Sequence, residues 1–110
     1  MLDEDGWDYY FINAPCCDFV ARRGKLKMLI EVKGINHPYV PVRQLCGLIM
    51  AADILNTNAA IIVVGNRKAS FYDAYELANL YELDCDNEDA FFDDTELSIE
   101  AIDPYHEATY

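Results

Sequence analysis

The chain has no long uninterrupted apolar run, and this absence excludes the commonest membrane architecture. None of its apolar segments approaches the roughly 18 consecutive residues of a membrane-spanning helix. The first five residues, Met-Leu-Asp-Glu-Asp, carry neither the basic nor the apolar part of a signal peptide. We therefore expect a cytoplasmic protein with no membrane partner. At 110 residues and 53% apolar content, the chain suffices for one compact core.

Cysteine motifs for metal binding or redox chemistry are also absent. The four cysteines are Cys16, Cys17, Cys46 and Cys85, and no two have the C-x-x-C spacing of zinc or redox sites. The adjacent pair is poorly placed to bridge to itself. We therefore expect reduced thiols, as is usual in the cytosol.

Basic residues are scarce, and their distribution along the chain is uneven. The formal net charge of −12 argues against nucleic-acid binding, because a polyanion repels a polyanion. However, all eight Lys and Arg lie within residues 19–72 with only two acids, whereas five acids precede and 13 follow. A basic face can therefore coexist with an acidic chain. The cations are candidate phosphate contacts or ordinary solvated side chains, in two groups: Arg22, Arg23, Lys25 and Lys27 near a turn, and Arg67 and Lys68 in a later loop.

The apolar pattern predicts an α/β fold with the element order β-β-β-α-β-α-β. Strands at residues 7–13, 17–22 and 26–33 form an antiparallel meander with a tight turn near Gly24. Residues 34–40 contain Pro38 and are predicted as a loop, and Pro41 is predicted to open a helix over 42–55. The apolar run 59–64 suits a strand covered on both faces, at the centre of the sheet.

The remaining chain is predicted to add a second helix, an edge strand and an acidic segment. Residues 65–69 form a basic loop, Ser70 is the expected N-cap of a helix reaching Tyr81, and residues 82–85 add a short edge strand. Residues 86–110 are acidic but retain apolar side chains, so we expect them to dock on the body or on a protein partner. The predicted division is therefore 1–85 and 86–110.

Aromatic residues near the N-terminus have two interpretations. Their side chains can stack on nucleic-acid bases or pack against the sheet, and the residues concerned are Trp7, Tyr9, Tyr10 and Phe11. Packing is the more common role, and we expect it here.

Three charged residues are predicted to meet on one face of the meander. Glu31 and Lys33 share a face because side chains two apart in a strand point the same way. A turn near Gly24 brings Asp18 roughly opposite Lys27 to Glu31, and cross-strand neighbours lie about 5 Å apart. Two carboxylates can bind Mg²⁺ or Mn²⁺, and Lys33 can orient water or stabilise a pentavalent transition state. The pattern indicates phosphodiester hydrolysis.

The segment from Pro15 to Gly34, with Asp18 followed by Glu31-Val32-Lys33, resembles the core of the PD-(D/E)xK nuclease superfamily. It is most similar to archaeal Holliday-junction resolvases and the catalytic domains of modification-dependent restriction enzymes. The likeness covers about residues 6–85. It implies a restriction-endonuclease-like mixed sheet flanked by helices, DNA as substrate, and a microbial or viral origin. It also implies Asp18 and Glu31 as ligands of Mg²⁺ or Mn²⁺, Lys33 as the catalytic lysine, and Gln44 as a further active-site residue.

The chain departs from that family at its N-terminus. Family members begin with a helix that often carries another acidic site residue, and this helix is missing here; Glu4 or Asp8 could replace the acid, although neither matches by motif. An uncovered sheet face would favour a homodimer or larger assembly. The leading prediction is a divalent-metal-dependent DNA endonuclease, and the resemblance to resolvases makes a structure-specific, junction-resolving enzyme one form of it. The alternatives are a catalytically degenerate nuclease-fold subunit and an acidic inhibitor that mimics DNA.

Overall fold

The structure of the chain, a computed structural model, describes residues 6–11, 17–100 and 102–109. It begins with strands β1 (Asp8–Phe11), β2 (Phe19–Arg23), β3 (Leu26–Gly34) and β4 (Tyr39–Pro41), followed by helix α1 (Val42–Leu55). Next come β5 (Asn58–Val64), β6 (Lys68–Asp73) and helix α2 (Ala74–Leu80). The C-terminal part adds a 3-10 helix (Glu88–Phe92), β7 (Glu96–Ser98) and β8 (His106–Thr109).

A six-stranded mixed sheet forms the centre of the fold, with the strand order β1-β2-β3-β5-β6-β8. Strands β1, β2 and β3 make the predicted antiparallel meander. Strand β5 pairs with β3 in parallel, and α1 connects the two as a crossover. Strands β6 and β8 continue the sheet in antiparallel pairing, while β4 and β7 form a separate two-stranded sheet. The predicted α/β class is confirmed, with β5 inside the sheet.

Two local signals set the bounds of the hairpin and of the first helix. Gly24 has a φ of +61° in the turn between β2 and β3, a conformation that glycine adopts without a steric penalty. Pro41 stands directly before α1 with a φ of −64°, and Asn56 ends the helix in the left-handed conformation. The helix therefore spans residues 42–55, as the sequence predicts.

Both helices that the structure describes pack on the same face of the sheet. The core on that face contains large side chains from the strands and from the helices, among them Leu29, Leu45, Leu48, Ile61 and Leu77. On the opposite face, Ile30 and Ile62 are fully buried among half-buried neighbours, namely Trp7, Phe19, Met28, Val32, Val64 and Phe71. The expected packing of Trp7 against the sheet is thus present.

The second helix begins later than predicted. Ser70 is not an N-cap but lies in β6, opposite Val63 of β5. The cap is Asp73, whose carboxylate accepts hydrogen bonds from the backbone N–H of Tyr75 at 2.8 Å and of Glu76 at 3.4 Å. Strand pairing on both sides of residues 68–73 outweighs the local helical pattern there, because neighbouring strands satisfy the backbone.

Two further boundaries differ from the prediction. The predicted loop at residues 34–40 contains the start of β4, which pairs with β7. Residues 82–85, predicted as an edge strand, form no strand; Glu82 has a φ of +55°, and the N–H of Leu83 donates to the carbonyl of Ala78 at 2.9 Å. These contacts close the end of α2, so the backbone cannot extend. Residues 12–13 of the first predicted strand lie outside the described residues.

The expectation of reduced thiols is wrong for two of the cysteines, because Cys46 and Cys85 form a disulfide bond. Helix α1 places Cys46 in the core at 0% exposure, and the turn after α2 brings Cys85 to it with 4.9 Å between the Cα atoms. That separation lies within the usual range for a disulfide. Cys17 is buried outside this bond, and Cys16 is not among the described residues.

The acidic C-terminal segment packs on the rest of the chain. Strand β7 pairs with β4, and β8 pairs with β6 at one edge of the main sheet. Leu97 and Ile99 are buried in the helix-side core, and Ile102 packs against it. Within the described ranges, neither helix is long and apolar enough to cross a membrane.

Candidate active site

Glu31 and Lys33 point from the second half of β3 toward the helix-covered face. Strand alternation places them with Leu29, which belongs to the core under α1. Their register partners on β5 are Ile61 and Val63. Glu31 is only 6% exposed, and it is the one buried charged residue among those the structure describes. A carboxylate in this position needs partners, because an isolated buried charge is costly.

Asp18 lies directly before β2, beside the same part of β3. Its backbone N–H donates to the carbonyl of Ile30 at 2.9 Å. Its Oδ2 atom accepts a hydrogen bond from the N–H of Val32 at 3.0 Å. These two contacts hold the Asp18 carboxylate next to Glu31. Glu31 is the last residue of the stretch, Lys27 to Glu31, that the hairpin is predicted to place opposite Asp18.

Gln44, in the first turn of α1, links Glu31 and Lys33. Its Nε2 donates to Oε1 of Glu31 at 2.9 Å, and its Oε1 accepts from Nζ of Lys33 at 2.6 Å. The Lys33 ammonium also lies 3.6 Å from Oε1 of Glu31. The three side chains therefore form a closed ring of polar contacts, and the amide fixes the carboxylate and the ammonium relative to each other.

Burial raises the pKa of Glu31 above its ordinary value, and the negative charge of Asp18 raises it further. The ammonium of Lys33 partly opposes this rise. Two carboxylates that share a poorly solvated site repel each other, and a divalent cation between them would relieve the repulsion.

Asp18 and Glu31 are the residues that could hold such a cation. Their oxygen donors suit Mg²⁺ or Mn²⁺, which commonly take one or two protein carboxylates and fill the remaining positions with water and phosphate. Within residues 6–11, 17–100 and 102–109, no group of three or more acidic, His or Cys side chains is arranged to hold a metal. The two-carboxylate site therefore suits a cation completed by water and substrate rather than a closed protein cage.

A further acid from the N-terminus does not join these residues in the described part of the chain. Asp8 lies in β1 and pairs with Arg22 at 3.8 Å, next to the β2–β3 turn. Glu4 lies outside the described residues.

The predicted phosphate-contacting cations divide between two ends of the sheet. The group at the β2–β3 turn lies at the closed end of the hairpin, whereas Asp18 and Lys33 lie at its open end. Lys27 and Lys33 are roughly 20 Å apart along β3 at the usual rise per residue. Although the turn belongs to the same hairpin as Asp18, Glu31 and Lys33, its cations do not stand beside these three residues, because β3 runs away from the turn. Arg67 and Lys68 follow β5, which is parallel to β3, and so lie at the same end as Lys33.

Acids of the C-terminal segment pair with cations near the cluster. Arg43, the neighbour of Gln44 in α1, contacts Asp94 with 2.6 Å between Nε and Oδ1. Nζ of Lys68 lies 2.8 Å from Oε1 of Glu107. Arg43 is not among the predicted site residues, and its position beside Gln44 was the available signal in the sequence.

The meander, the crossover helix and the parallel strand β5 form a restriction-endonuclease-like fold, which carries the Asp…Glu-x-Lys arrangement on the helix-covered face. Among solved structures, 18 chains are similar to this one. One is a Holliday junction resolvase from the archaeal hyperthermophile Archaeoglobus fulgidus, with a TM-score of 0.61 and 22% sequence identity. The match covers 67% of this chain and 64% of the resolvase chain, so it spans less than two thirds of that protein. At this identity the likeness shows the fold. No protein-family profile and no curated protein matches the chain.

Proposed function

We propose that the chain is a divalent-metal-dependent endonuclease that hydrolyses DNA phosphodiester bonds, with a preference for branched DNA of the junction type. The observation that carries the proposal is the contact ring of Glu31, Lys33 and Gln44 beside Asp18 on the helix-covered face. The fold supports the reaction class, and the similarity to a junction resolvase supports branched DNA as the substrate.

Each residue of the cluster has a distinct task in this proposal. Asp18 and Glu31 hold Mg²⁺ or Mn²⁺, which when bound offsets phosphate charge and lowers the pKa of water. Lys33 places a positive charge where it can orient a water molecule or stabilise charge that develops on the phosphoryl oxygens. Gln44 is a positioning residue, because it holds both Glu31 and Lys33 by hydrogen bonds.

The DNA would run across both groups of cations. Arg67 and Lys68 lie at the cluster end of the sheet, and the hairpin group Arg22, Arg23, Lys25 and Lys27 lies at the far end. Phosphate contacts position a duplex without reading its sequence, which agrees with recognition of DNA shape. A homodimer would present two such sites to the two-fold symmetry of a junction. We propose the cytoplasm of a microbe or of a virus-infected cell as the place of this activity, in a host whose intracellular proteins carry structural disulfides such as Cys46–Cys85.

Cleavage assays with matched variants test the proposal. The purified chain with Mn²⁺ should cut a four-way DNA junction, with duplex and single-stranded DNA of the same sequences as comparisons. Asp18→Asn and Lys33→Met should each lower the rate about 100-fold or more, because each removes a group that acts on the reacting phosphate. Asp89→Asn, in the exposed 3-10 helix, is the charge-matched control and should retain the wild-type rate within a few-fold. Unchanged cleavage by both cluster variants would refute the assignment.

A second candidate is a nuclease-fold subunit that binds metal without cutting DNA. It is favoured by the ion pairs of Arg43 with Asp94 and of Lys68 with Glu107, because these acids occupy cations that DNA phosphates would otherwise contact. Calorimetry separates the two candidates. Binding of Mn²⁺ that Asp18→Asn abolishes, without cleavage of any DNA form by the wild-type chain, would establish the second.

A further inference from the structure

A cavity of about 550 Å³ opens on the sheet face opposite the catalytic cluster. It lies at the first half of β3 and the start of β5, whereas Glu31 and Lys33 lie in the second half of β3 and face the helices. Its lining includes aromatic and apolar side chains from four segments of the chain, namely Trp7, Met28, Phe71, Tyr105 and His106. The cavity is therefore separate from the proposed cleavage site.

The walls of this cavity present aromatic rings. Phe71 and His106 are register partners on β6 and β8, with ring centroids 5.5 Å apart. Trp7 lies under the guanidinium of Arg23, whose central carbon is 5.0 Å from the ring centroid. Tyr105 is 78% exposed at the edge of the cavity, so its ring is accessible to a ligand. Such rings can stack on flat heterocycles of any sequence.

Polar and cationic groups accompany the rings. Asn58 and Asp73 line the same cavity and can offer hydrogen bonds to the edge of a heterocycle. Arg23 also lines it, and the rest of the hairpin cations stand on the same turn. Lys25 stands in the same turn and forms no ion pair with any residue that the structure describes, whereas Lys27 shares the helix-covered face with Glu31 and Lys33. Positive charge at the mouth of an aromatic cavity favours a ligand that joins an aromatic ring to an anion.

We propose that this cavity binds a nucleotide unit, with its base against the aromatic walls and its phosphate toward Arg23. Its volume lies within the range of roughly 300–1,000 Å³ that is usual for small-ligand sites. The unit can be a free nucleotide or an unpaired nucleotide at the end of a DNA strand, since both combine a base with a phosphate. The proposal does not depend on cleavage activity, because none of the cluster residues lines the cavity.

Trp7 is the only tryptophan of the chain, so its fluorescence reports on this cavity directly. The probes are deoxyadenosine monophosphate, a duplex with one unpaired 3′ adenosine, the same duplex with blunt ends, and inorganic phosphate. We expect a saturable change in Trp7 emission with the nucleotide, the overhang duplex or both. A response to the mononucleotide identifies a free nucleotide as sufficient, and a response to the overhang duplex alone identifies a strand end. Equal responses to inorganic phosphate and to the nucleotide probes would overturn the proposal.

Variants with matched controls complete the test. Tyr105→Ala and His106→Ala should each weaken binding roughly tenfold, as expected for the loss of one stacking surface. The controls are Phe92→Ala, which removes an 83% exposed ring outside the cavity, and His37→Ala, and both should bind as the wild type does. Asp18→Asn should also bind normally, which separates this site from the nuclease proposal. No Trp7 response to any probe, or equal weakening by Phe92→Ala and Tyr105→Ala, would refute the site.

Discussion

Reduction of the Cys46–Cys85 bond should destabilise the fold by a predictable amount. The bond joins residues 39 positions apart, and the chain-entropy relation for a loop of that length gives roughly 4 kcal/mol. For a chain of 110 residues, with an unfolding entropy of about 2.1 cal/mol/K per residue, this corresponds to a melting temperature about 17 °C lower. Thermal unfolding followed by circular dichroism, with and without a phosphine reductant, measures the shift.

Cys85→Ala provides the control for this measurement. Because Cys85 is only partly buried, its truncation leaves a smaller cavity than truncation of the fully buried Cys46 would. The variant should melt close to the reduced wild-type protein, and the reductant should not lower its melting temperature further. If the reductant left the wild type unchanged, or shifted both proteins equally, the inference that this bond stabilises the fold would be refuted.

Two further predictions concern the cluster and its surroundings. In metal-free protein, the pKa of Glu31 is higher in the folded state than in the unfolded state. The contribution of this carboxyl to stability is therefore fully present below its pKa in the unfolded chain, and it is lost as the pH rises through its pKa in the folded protein. In urea unfolding, Glu31→Gln should therefore gain stability relative to the wild type as the pH rises above 4.5, the ordinary pKa of this carboxyl, and parallel pH profiles would contradict this. Asp94→Asn should release Arg43 and tighten DNA binding about two- to fivefold at low salt, with little change in melting temperature because the pair is exposed. Fluorescence anisotropy measures the DNA affinity of Asp94→Asn and, as a control, of Asp89→Asn. Equal affinities of the two variants would contradict the prediction that release of Arg43 tightens DNA binding.

The sequence predicted the parts of the site that depend on local geometry. Alternation along β3 places Glu31 and Lys33 on one face, and the turn at Gly24 brings Asp18 beside them. Helical spacing after Pro41 places Gln44 in the first turn of α1, above the same face. These inferences need only the period of a strand, the length of a turn and one helix start.

The sequence did not predict the parts that depend on distant partners. Residues 68–73 become a strand because β5 and β8 pair with them on either side, and β8 begins more than thirty positions later in the chain. The same holds for β4, whose three residues are extended against β7, and for the bond between Cys46 and Cys85. In each case the deciding contact is long-range, so a local window contains no signal for it.

The hairpin and the crossover contribute to the cluster in different ways. The hairpin alone suffices to bring the two acids together, since Asp18 bonds to the backbone of β3. Glu31 is excluded from water by α1, whose Gln44 contacts it, and by β5, the neighbouring strand in the sheet. The proton affinity of Glu31 is thus a property of the whole domain. A substitution deep in α1 that admits water would change how readily this carboxylate ionises, and with it the pH at which the proposed cation would bind, without altering Asp18 or Glu31.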